Sequence, residues 1–180
     1  MLFTQELPHS FTIKYFLKSN GVNTDEIEFA PLPPHLHTDL LIKGEIDCSH
    51  LYEPMKTQAL LNSNTRELFN GVYPFFNEPS AIGISVISRS FYSEKRELSI
   101  RLLKVWDRSI DFIRNNDVEA RKILMRELKL SEEVAFKSTW VDATLTSEVS
   151  EADILRTIMS LQKIFQDSSF QFSSDYLLKE

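Results

Sequence analysis

Phe29-Ala30-Pro31-Leu32-Pro33-Pro34, then Leu40-Leu41-Ile42-Lys43-Gly44-Glu45-Ile46-Asp47, then Tyr52-Glu53-Pro54, is the stretch from which the topology is argued. Ile27 to Leu32 is expected as a short strand with Ile27 and Phe29 on one side. A helix over about His35 to Lys43 stops at Gly44, where a residue without Cβ turns the chain left-handed. Ile46 to Leu51 is the next strand, and Pro54 suits the first turn of a helix reaching about Leu61. Strand, helix, strand, helix is the order of a parallel sheet.

Working outward, Leu2 to Thr4 is a strand end, and Ser10 to about Asn20 a helix with Phe11, Tyr15 and Phe16 on one apolar face. Gly21 ends it as Gly44 ends the next. All seven prolines fall before about Ser80, whereas the chain from Ser93 on is almost wholly helical. The boundary therefore falls between residues 1–80 and 81–180, and Ala81 to Ser90 is expected to be a strand crossing it. Ser93, Asn116 and Ser150 stand before acidic first turns and are expected helix caps. Leu98, Leu102, Val105, Ser109 and Phe112 form one stripe, widened by Ile100, Leu103 and Trp106. Ile154, Ile158, Leu161 and Phe165 form another. Stripes this broad are expected to be buried. Asp167 to Ser174 is a polar tail.

The composition is that of a globular domain: 42% hydrophobic, 26% charged, with a formal net charge of −6. Acidic and basic residues are interleaved, and no basic stripe is present to displace counterions from a nucleic acid. The one cysteine, Cys48, excludes an internal disulfide and a thiolate cluster. No run approaches the roughly 20 apolar residues of a membrane span. The N-terminus lacks the charged start and apolar core of a signal peptide.

The quoted segments are similar to those of substrate-binding proteins from ABC importers for nitrate, sulfonate, taurine and thiamine-pyrimidine. In that family a strand ending in a Leu-Pro-Pro-like turn leads to a helix closing on Gly-x-x-Asp, a strand, and an acidic residue before proline. The resemblance spans about Leu2 to Ile164. It implies a type II periplasmic-binding-protein-like α/β fold. One lobe, residues 1–80, is nearly complete; the other, residues 81–180, is a crossover strand and helices whose N-terminal portion is missing. It further implies a solute binder of the periplasm, partnered by a membrane permease and an ATPase, with no cofactor.

Ligands of open α/β sheets collect where strands end and helices begin. Pro8-His9-Ser10 follows the first strand, and His50-Leu51-Tyr52-Glu53 follows the Ile46 strand, offering an imidazole, a phenol and a carboxylate. His9, Ser10, His50, Tyr52 and Glu53 are therefore candidate ligand-binding residues, joined by Asp47 from the matched motif. Ser10 and Glu53 are the two carried over from the family. Local capping is an equally physical role for Asp47 and Glu53. A carboxylate at Glu53 repels sulfonate or nitrate and suits an amine or aminopyrimidine. Tyr52, Tyr73, Phe75 and Phe76 offer rings for stacking, with core or hinge packing the plainer role for Phe75 and Phe76. His35 and His37, two apart on an expected helix, point to different faces and do not make a metal pair.

Two other function classes stand beside this one. Relatives of the implied fold include the thiamine-pyrimidine synthase and menaquinone-pathway enzymes. The synthase carries a cysteine-rich motif, and here only Cys48 is present. No Gly-rich phosphate loop or nucleophile elbow is visible. The third class is a ligand-sensing or interaction module that docks, or self-associates, through exposed apolar helix faces.

Overall fold

A computed structural model of the chain describes residues 2–4, 7–72, 83 and 85–165. Three short strands, β1 (Leu2–Thr4), β2 (Glu28–Ala30) and β3 (Cys48–Ser49), pair in parallel in the order β2-β1-β3. Phe3 is opposite Phe29 on one side and Cys48 on the other. Around them run α1 (Leu7–Ser19), α2 (Pro34–Lys43) and α3 (Met55–Leu60). The later described residues are mainly helical: α4 (Arg89–Glu94), α5 (Arg96–Asn115), α6 (Asp117–Leu128), α7 (Glu132–Lys137) and α8 (Glu151–Phe165).

This corrects the expected fold class. A type II binding-protein fold with a nearly complete sheet lobe requires strands long enough to form a layer, and among the described residues none exceeds three residues. The described chain is mostly helical instead. The physical reason lies in where the apolar residues bury. Ile27 and Ile46 are both buried, yet each sits just outside its strand, in loop backbone. Apolar residues that looked like strand faces thus reach the core without a ladder. The expected crossover strand is also corrected. Ser85 to Ser88 form no strand, and Arg89 already begins α4. The Ser88 hydroxyl accepts the Phe91 N–H at 3.2 Å and so caps that helix. Residues 81, 82 and 84 of that segment lie outside the described residues.

Helix ends follow local chemistry. After α1, the Val22 N–H reaches back to the Leu17 carbonyl at 3.0 Å, with Gly21 at φ 77° between them. That closure folds Val22 onto the cluster of Ile13, Phe16, Leu17, Ile27 and Val72. Gly44, at φ 71°, ends α2, with its N–H shared between the Leu40 and Leu41 carbonyls. Contacts between α1 and α8 and between α3 and α7 join the two regions of the chain.

The long stripe of α5 departs from expectation. Leu102 is 57% and Trp106 53% exposed, while Ser99 (1%) and Ile110 (4%) face the protein. The helix is anchored by the edge of its apolar arc, and the centre of that arc faces solvent.

Candidate ligand-binding site

The sheet order makes β1 and β3 neighbours, with Thr4 opposite Ser49. Because the strands are parallel, the chain leaves both at the same edge of the sheet. After β3 come His50, Leu51, Tyr52 and Glu53, and then α3. The His50 and Tyr52 rings meet edge to face, 4.8 Å between centroids at 69°.

Glu53 is held by the helix that follows it. Its Oε2 accepts the Thr57 N–H at 3.2 Å and the Thr57 hydroxyl at 2.7 Å. That is the capping role, since a carboxylate at a helix start satisfies an orphan donor. It uses only one of the two oxygens. Oε1 is buried and accepts no hydrogen bond. Lys56 Nζ stands 3.6 Å from it and 3.9 Å from Glu67 Oε1, bridging the two carboxylates. Glu53 and Pro54 are joined by a cis peptide bond.

The other expected residues fall as follows. Helix α1 begins at Leu7, so His9 and Ser10 lie within its first turn and not in a loop ahead of it. Ser10 is the fourth residue of the helix and is not its cap, which corrects the expected start there. The side chains of His9 and Ser10 lie outside the described residues. Asp47 is exposed and precedes β3, at the opposite end of that strand from Glu53. His50, Tyr52 and Glu53 therefore follow β3 at one end, while Asp47 precedes it at the other. Tyr73, Phe75 and Phe76 lie outside the described residues.

Two further side chains bear on the chemistry. Burial, and then the charge of Asp47, push the Cys48 thiol above its ordinary range, away from the thiolate that nucleophilic chemistry requires. His37 is 2% exposed, and its Nε2–H donates to the Leu32 carbonyl at 2.8 Å, while His35 is exposed. His37 is thus a structural tie between α2 and the proline turn. Among the described residues no cluster of three or more His, Cys, Asp or Glu is placed to hold a metal.

Sequence reasoning passed over Lys56 and Thr57. The signal was available, since they stand three and four residues after Glu53, within reach of it once a helix starts at Pro54. No family model, curated protein or solved structure matches the chain.

Proposed function

We propose that the chain binds a small cationic or N–H-donating solute, such as an aminopyrimidine, beside Glu53 at the edge where β3 ends. In this reading it is the solute-binding part of an importer, working with a membrane permease and an ATPase. The importer role rests on the sequence resemblance alone, whose most specific residues are 29–54.

Glu53 Oε1 is the observation that carries the ligand class. Oε1 is buried with no hydrogen-bond donor, only the Lys56 ammonium at 3.6 Å, and a ligand N–H at hydrogen-bond distance would satisfy it. Lys56 does not block the exchange, because Glu67 is already within its reach as an alternative partner. Tyr52, exposed and edge to face with His50, adjoins Glu53 in the chain. A carboxylate in this position disfavours an anion such as taurine or nitrate.

Calorimetry with 4-amino-5-hydroxymethyl-2-methylpyrimidine, taurine and nitrate tests the reading. The aminopyrimidine should bind and the two anions should not. Glu53→Gln keeps the shape and removes the charge, and should weaken binding by about tenfold or more. Unchanged affinity in that variant, or preference for the anions, sinks the assignment.

A further inference from the structure

We propose that Lys56 and Glu67 form a latch on the Glu53 site: an entering N–H group takes Oε1 as the Lys56 ammonium swings from Glu53 to Glu67. The latch rests on the reading of Glu53 given above. Glu53 Oε1 is buried, so a ligand reaches it only when a neighbouring side chain moves. The carboxylate itself is fixed, because its other oxygen accepts both the N–H and the hydroxyl of Thr57. Lys56 is the neighbour that can give way. Its Nζ stands 3.6 Å from Glu53 Oε1 and 3.9 Å from Glu67 Oε1, within ion-pair reach of both and at hydrogen-bond length from neither. Its side chain is 32% exposed, and an ammonium on a flexible four-carbon stem changes partners by rotation.

Glu67 is placed to receive the ammonium. Past α3 the chain turns back on itself: the Asn64 N–H donates to Asn62 Oδ1 at 3.0 Å, and the Thr65 N–H to the Asn62 carbonyl at 3.1 Å. The Thr65 hydroxyl donates to the Ala59 carbonyl near the end of α3. Glu67 follows two residues later, with its carboxylate beside Lys56. Moving to Glu67 keeps the ammonium paired, so ligand entry leaves no charge alone. The latch also grades solutes. One that brings an N–H or a positive charge replaces what Lys56 takes away, whereas an anion leaves Glu53 without a counter-ion.

Calorimetry with 4-amino-5-hydroxymethyl-2-methylpyrimidine on four proteins tests this: the unaltered chain, Lys56→Met, Glu67→Gln and the double variant. Lys56→Met removes the competing ammonium and should tighten binding by about two- to fivefold. Glu67→Gln removes the second partner of Lys56 and should weaken binding by a similar factor. The double variant should bind as Lys56→Met does, since Glu67 acts only through Lys56. Both side chains are partly exposed, and circular dichroism of each variant confirms that the fold is kept. Binding by Lys56→Met with none by the unaltered chain also supports the latch. Single variants that both bind like the unaltered chain overturn the latch and leave the Glu53 reading standing. A loss from Glu67→Gln that persists without Lys56 overturns it too, by making Glu67 a ligand contact. No binding by any of the four removes the Glu53 reading, and the latch with it.

Discussion

Gly44 sits at φ 71° with nothing within 4 Å of the place a Cβ would take. Any penalty for alanine there comes from the backbone alone, and Gly44→Ala should lower stability by about 1–2 kcal/mol. A urea midpoint unmoved by the change would mean that α2 ends some other way. Arg121 is the opposite kind of residue. Its mostly buried guanidinium donates to the Ala135 carbonyl at 2.5 Å and the Ser138 carbonyl at 2.8 Å, pairs with Asp117, and lies over the Trp140 ring at 5.0 Å. Arg121, and then the Trp140 N–H, hold the Asp117 carboxyl below its usual range. Arg121→Ala strands two carbonyls and should cost about 2–3 kcal/mol. Arg121→Lys keeps the charge without the planar fork and should recover only part of that in chemical denaturation. Gly44 was legible in the sequence because a left-handed residue is a local requirement. Arg121 was not, because its carbonyl partners lie 14 and 17 residues further on.

Among the elements, helix starts were read with mixed success, and the reason is again reach. Ser150 accepts the Asp153 N–H at 3.4 Å, as its spacing suggests. Asn116 precedes α6 but turns its amide back to the Phe112 carbonyl and caps nothing ahead of it. Ser93 is inside α4 and bonds to the Ser90 carbonyl, while Ser88 does the capping. Ser131, unremarked in the sequence, caps α7 through the Val134 N–H. One element is held by charge. Arg114 of α5 binds both oxygens of Glu148 at 2.9 Å and the Ala143 carbonyl at 2.6 Å, tying the 143–148 segment to the helix. The Arg114 hydrogen bond, then the Leu145 N–H, lower the Glu148 carboxyl from 4.5 to about 2. A depressed carboxylate stabilises the folded state fully above its unfolded value. The tie should therefore be intact above about pH 4.5 and be lost as the pH falls towards 2. Faster hydrogen exchange at Leu145 across that window should report it, and Arg114→Ala should move the window up towards 4.5. An unmoved profile in that variant would assign the shift to another partner.

For the molecule as a whole, Phe16 is the position to test. It is buried in the cluster of Ile13, Leu17, Ile27 and Val72, meets Phe69 edge to face at 4.9 Å, and belongs to the helix against which α8 packs. Phe16→Ala should cost about 3–5 kcal/mol, a large share of the 5–15 kcal/mol typical of a domain. Because α1 with α8 and α3 with α7 cross the boundary near residue 80, the loss should reach both regions together. Far-UV dichroism and the fluorescence of Trp106 and Trp140 should then report one urea transition; two separate midpoints would mean that the regions unfold independently. The sequence by itself determined the interactions that close within one turn of backbone: the left-handed glycines after α1 and α2, and the carboxylate and proline of Glu53-Pro54 ahead of α3. Tertiary structure alone decided how long the strands grew and which arc of α5 met the protein. Those outcomes depend on neighbours distant along the chain, and hydrophobic burial has no direction: an isoleucine reaches the core from a loop as readily as from a strand.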